Sequence, residues 1–236
     1  MNKIFLLIAV LVVTISCSKN ENNMSLTGNV KGLKKGTLYL QKIEDSLLVT
    51  VDSVTIHGKS TFQFNETVNS PEIYYLHVKI KDGILQDDRI SFFAEPKEIQ
   101  INTSLEKFSM DAKITGSENE NKYKEYNKLM ERYRNRNLEL IENSLTARQN
   151  GNDSLALVHE NKQKSELSRR YLATINFALN NNNSEIAPYL MISHVNNSRL
   201  KYLDTVYNSL TPKIKDSKYG KVLESLIVSR KASLQE

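Results

Sequence analysis

The apolar residues of this 236-residue chain change their period once, near Gly116, and that change governs what it can fold into. From Leu26 to about Gly116 they alternate with polar residues or come in short runs between turn residues, which is the pattern of β-strands. From Ser117 onward Tyr123, Tyr126, Leu129, Met130, Tyr133, Leu138 and Ile141 recur mostly at spacings of three to five, the pattern of one helical face. Strands followed by helices, without alternation, predict an α+β chain: an N-terminal antiparallel β sandwich or open barrel, then an all-α segment. An apolar fraction of 39% is enough to fill such a core.

Eight strands are predicted, over Leu26–Val30, Thr37–Lys42, Leu47–Ile56, Thr61–Asn65, Ile73–Ile80, Ile90–Ala94, Ile99–Asn102 and Asp111–Ile114. In Thr61-Phe62-Gln63-Phe64 both rings share a face, and Ile99-Gln100-Ile101 repeats the device. Tyr74-Tyr75 puts one ring on each strand face, which leaves one of them exposed. His57, beside Gly58, reads as a solvated turn residue. His77, between Leu76 and Val78, reads as a surface residue on the opposite face from them.

The first helix opens on Ser117 and Glu120, spaced as a capping box, and runs to about Gln149. Asp153 or Ser154 opens a second. Asn180–Asn183 end it, through the left-handed conformation that Asn tolerates. Ser184 caps a third, with Pro188 in its first turn. Shorter helices cover Arg199–Leu210 and Tyr219–Ala232, with a turn begun by Thr211-Pro212. No 20- to 50-residue repeat is present, so a solenoid is excluded.

Met1 to Cys17 reads MNKIFLLIAVLVVTISC: a Lys, ten unbroken apolar residues, then a small residue before the only Cys in the chain. The apolar run is too short to span a bilayer and suits a secretory segment. The segment resembles a bacterial lipoprotein signal, although Thr14 stands where that signal prefers Leu. The resemblance implies cleavage before Cys17, lipid attachment there, and residence in a Gram-negative cell envelope, on the periplasmic side or the cell surface. The expected organisation is a signal peptide over 1–16, a polar tether over 17–25, a β domain over 26–116 and a helical domain over 117–236.

Gly28-Asn29-Val30-Lys31-Gly32, Gly36-Thr37-Leu38-Tyr39-Leu40, Val51-Asp52-Ser53-Val54 and Phe62-Gln63-Phe64 occur in that order. They resemble a domain of unknown function that opens many Gram-negative lipoproteins. In that family a helical segment and a TlpA-like thioredoxin domain follow. Ser184 to Leu190 and Tyr207 to Gly220 are similar to the helical segment. No CxxC follows them here, so the resemblance carries over no redox residue.

A single Cys excludes an internal disulfide and a Cys-based zinc site. The four His residues show no ligand-pair spacing, and no nucleophile elbow, P-loop or dinucleotide fingerprint occurs. Neither a metal nor a cofactor is expected. Asp87-Asp88 reads as a solvated loop in preference to a calcium site. The net charge of +5 is interspersed, and Glu131 and Glu139 offset Arg132, Arg134 and Arg136, so no nucleic-acid surface is expected. Asp followed by Ser or Thr and an aliphatic residue occurs at Ser46, Ser53, Ser154 and Thr205. This resembles an O-glycosylation sequon of some Gram-negative envelope proteins; turn and cap chemistry accounts for it equally well.

The expected function is therefore a lipid-anchored envelope module that binds or adapts and has no catalysis of its own. Its partners would be the membrane, through the lipid, and an envelope protein. Two alternatives stand beside it: an accessory that docks a separate thioredoxin-like reductase, and an enzyme whose site forms only in the fold. The class of any small-molecule ligand stays open.

Overall fold

Eight strands form in the computed structural model, which describes residues 22–80 and 88–234. They are β1 (Met24–Lys31), β2 (Lys35–Glu44), β3 (Leu47–His57), β4 (Thr61–Glu66), β5 (Glu72–Ile80), β6 (Arg89–Ala94), β7 (Glu98–Ser104) and β8 (Lys113–Thr115). They pair as two four-stranded sheets, β4-β1-β7-β8 and β3-β2-β5-β6, which stay open and face each other. The shared core takes every second side chain: Leu26 and Val30 from β1, Leu38 and Leu40 from β2, Phe62 and Phe64 from β4, Ile99 and Ile101 from β7. Asp45 and Ser46, with φ of 48° and 69°, make the two-residue turn between β2 and β3. Gly28 is required because a Cβ there would collide with the Ile101 carbonyl and the Phe62 ring.

The sandwich departs from the expected all-antiparallel pairing once. β1 runs parallel to β7, with Ser25 opposite Glu98 and Lys31 opposite Ser104. Strand periodicity reports which face a residue takes, and it is silent on the direction of the neighbouring strand. β1 begins at Met24, and Asn23 already bonds Glu66 and Val68, so the last residues of the expected tether are structured.

Six helices follow: α1 (Glu118–Gln149), α2 (Asp153–Asn180), α3 (Ile186–His194), α4 (Leu200–Ser209), α5 (Pro212–Lys215) and α6 (Lys218–Ala232). α1 and α2 form a long antiparallel hairpin, and α3 to α6 pack at its base around Leu203, Val206, Leu223 and neighbours. None of the described helices is long and apolar enough to cross a membrane.

Several helix ends differ from expectation because distant residues cap them. Ser117 Oγ accepts from Glu120 N–H at 3.0 Å, as a capping box requires. The Glu120 carboxylate, however, accepts from Phe93 N–H at 3.2 Å instead of returning to Ser117. Glu95, buried after β6, accepts from Ser117 Oγ, from Glu118 and Asn119 N–H, and from the Asn119 side chain. The α2 cap is Asn152, whose Oδ1 accepts from Leu155 N–H at 3.0 Å, and not Asp153 or Ser154. α3 is capped from α1: Asn119 Oδ1 accepts from Ser184 Oγ and from Ile186 N–H. No residue at the end of α2 is left-handed. Asn181 and Asn182 instead donate their side-chain amides to the Phe177 and Ser209 carbonyls.

These caps and one aromatic cluster join the halves. Phe93 is fully buried and packs edge-on to Tyr123, Tyr189 and Tyr219, with ring centroids 5.2 to 6.5 Å away. Tyr219 Oη accepts from Ile73 N–H at 2.8 Å. Burial raises the pKa of the Tyr189 and Tyr219 phenols, and it raises that of Glu120 as well.

Candidate functional site

The sheet β3-β2-β5-β6 has an outer face, and strand alternation decides what lies on it. Leu38 and Leu40 of β2 point into the core, so Thr37, Tyr39 and Gln41 point outward. The same rule turns Ser53 and Thr55 outward from β3, and Ile73, Tyr75, His77 and Lys79 outward from β5. At one end of this face the helices cover Ile73, Tyr75 and Phe93. At the other end no described residue does.

The open end is built of three cross-strand rungs. Lys35 pairs with His57; Thr37 lies between Thr55 and Lys79; Tyr39 lies between Ser53 and His77. Arg89 of β6 stands beyond His77. Lys35, Ser53, Thr55, His57 and Lys79 are exposed, and Thr37 and Tyr39 are half-buried. Between the first rungs is a shallow depression of about 360 Å³. Among the described residues no carboxylate belongs to these rungs.

His77 is held in place. Its ring lies over Tyr39, with centroids 6.2 Å apart and planes 29° from parallel. Its Nδ1 donates to the Asp88 carbonyl at 3.3 Å. The ring is 8% exposed, so it is not the surface residue expected. Stacking and the flanking long side chains bury it although it is outside the core. The next rung is tied internally: Gln41 donates to Thr50 Oγ1 and accepts from Arg89 Nε, both at 3.3 Å. The arrangement offers ammonium, imidazole and hydroxyl groups around one aromatic edge. It can hydrogen-bond and stack on a polar or anionic ligand.

The residues singled out in the sequence do not converge here. Cys17 and the 1–16 segment lie outside the described residues, as does Asp87. The Asp88 carboxylate accepts from Ser109 N–H at 3.0 Å. Ser46 lies in the β2–β3 turn, Ser154 in the first turn of α2, and Thr205 on α4, where its Oγ1 donates to the Lys201 carbonyl. Ser53 alone of the four belongs to the open rungs, opposite Tyr39. All four are exposed. The expected exposed tyrosine of the Tyr74-Tyr75 pair is not found: Tyr74 is in the core and Tyr75 packs under the helices. Thr37, Tyr39, Thr55 and Lys79 were not among the expected site residues. Their signal was the polar half of each strand alternation, which becomes a surface only once register aligns the strands.

No curated protein and no solved structure matches the chain. Residues 24–123 match the family model described as a domain of unknown function, DUF4369. The match runs from the first residue of β1 through β8 into the first turns of α1, and it shows no link to thioredoxin. The sandwich that carries the open face is therefore the part of the chain similar to this domain of unknown function.

Proposed function

We propose that the chain is a lipid-anchored envelope module that binds a partner through the open end of the β3-β2-β5-β6 sheet. One observation supports this reading above the others. A sheet face that is packed under helices at one end is left uncovered by the described residues at the other, with Tyr39 and His77 stacked beside the depression. Tyr is favoured at binding surfaces because it supplies large contact area and a polar tip. The lipoprotein-like segment ending at Cys17 supplies the anchoring part of the proposal. The test is affinity capture from envelope extracts with the wild-type chain and with a Tyr39→Ala, Lys79→Glu double variant. A partner recovered by the wild type and lost with the variant is the expected result. Equal recovery by both, or none above background, removes the proposal. A thioredoxin-like protein among the captured partners would favour the redox-accessory version. Cys17→Ala is expected to release the protein from the membrane fraction.

A further inference from the structure

The hairpin of α1 and α2 has a seam that begins as a coiled coil should. Met130, Tyr133, Asn137, Leu140, Ser144 and Ala147 recur at alternating spacings of three and four, facing α2. Midway the seam turns polar. Asn137 and Gln163 both border a cavity of about 360 Å³ that opens between the helices. Neither side-chain amide has a hydrogen-bond partner among the described residues. Tyr133 and Leu167 give the same cavity apolar walls.

Arg170 separates this cavity from a second, of about 120 Å³, at the base of the hairpin. Arg134 from α1 and His194 from the end of α3 reach the second cavity too. Arg134 Nη2 donates to the Asn127 carbonyl at 3.5 Å, so its guanidinium folds back along α1. Arg170 lies over the Tyr171 ring at 5.9 Å and forms no ion pair among the described residues. The acid one turn before it, Glu166, also borders the larger cavity but pairs with Arg169 at 2.9 Å. Tyr126 Oη and Thr174 Oγ1, 3.1 Å apart, close the floor. Arg134, Arg170 and His194 thus border one cavity from three helices, both arginines being solvent-exposed, and none of its described lining residues is a carboxylate. Burial, and then the nearby Arg170 charge, lower the His194 pKa, as expected where like charges crowd.

We propose that this groove binds the free C-terminal carboxylate of an extended peptide, with Arg134 and Arg170 on the carboxylate and Asn137 and Gln163 on the peptide group behind it. The guanidinium fork matches a planar carboxylate, and a primary amide both donates and accepts, as a peptide group does. The small cavity suits the carboxylate, and the larger one takes the preceding residue against Tyr133 and Leu167. The site is independent of the open sheet face.

The test titrates the full chain with a pool of N-acetylated tetrapeptides bearing free carboxylates, and with the same pool amidated at the C-terminus. The arginine Nε–Hε NMR signals of Arg134 and Arg170 are the readout, and inorganic phosphate is a third titrant. With the acid pool both signals are expected to shift and saturate. Loss of the charge-assisted bonds should make the amide pool about tenfold weaker or worse. Arg170→Gln should abolish the response at Arg134, and Arg136→Gln, on a surface pair with Glu139, should leave it intact. Equal response to acid and amide pools, response to phosphate alone, or no response to any titrant overturns the proposal. So does a response that survives Arg170→Gln.

Discussion

On one sheet face, Ile73, Tyr75 and Phe93 lie under the helices, while half-buried Thr37 and Tyr39 and exposed Lys79 lie beyond the helices on the same or adjacent strands. β5 shows the difference within a single strand. Its outward residues run Ile73, Tyr75, His77, Lys79, from apolar to charged. The inward residues Tyr74, Leu76 and Val78 stay apolar throughout. Where helices dock, the strand is apolar on both faces; where they stop, ordinary alternation resumes. The boundary of the contact between sheet and helices is therefore written into the outward positions of β5.

The covered end should be the easier to break. Phe93→Ala removes a fully buried ring from the centre of three tyrosines, and a loss of about 3–5 kcal/mol in denaturant unfolding is expected. A loss below 1 kcal/mol would mean that the cluster does not join the halves. Glu95→Ala strips the acceptor from Ser117 Oγ and the first N–H groups of α1, and should cost about 1–3 kcal/mol by the same measurement. Glu120→Gln probes the junction through pH. Burial raises the folded-state pKa of Glu120, so its ionised form opposes folding. Below about pH 4, where the carboxyl is protonated folded and unfolded, the substitution should change little. As pH rises through the raised folded value, the wild type should lose stability relative to the variant. Gln keeps an oxygen for Phe93 N–H, so by pH 7 the variant should melt higher; a variant that melts lower at pH 7 contradicts the assignment. At the open end Tyr39→Ala should shift stability by only about 0.5 kcal/mol. A larger loss would show that the Tyr39–His77 stack is part of the folded scaffold.

The strands were legible in sequence because period two survives in Phe62/Phe64, Ile99/Ile101 and Leu38/Leu40. Each pair reports its own face with no help from elsewhere. The helices were legible for the same reason at their longer period. Capping was less so. The sequence offers Ser184 as its own cap, yet the acceptor at that helix start is Asn119, contributed by another helix. A local pattern cannot reveal a cap supplied across the fold. The candidate face was half legible: alternation separates Tyr39 from Leu38 and Leu40, but only register puts it beside Ser53 and His77. The arginine groove was not legible at all, because Arg134, Arg170 and His194 sit on three helices whose packing brings them together.

The parallel β1–β7 pair has a mechanical consequence. β1 is bonded along both edges, to β4 on one side and β7 on the other. Tension drawn through the residues before Met24 enters along the axis of β1, across the direction of its ladder bonds. Such a load shears two ladders together, where a strand at the rim of the sheet would be held by one. A chain tethered through its N-terminus would thus be gripped by two ladders at the strand where the pull arrives.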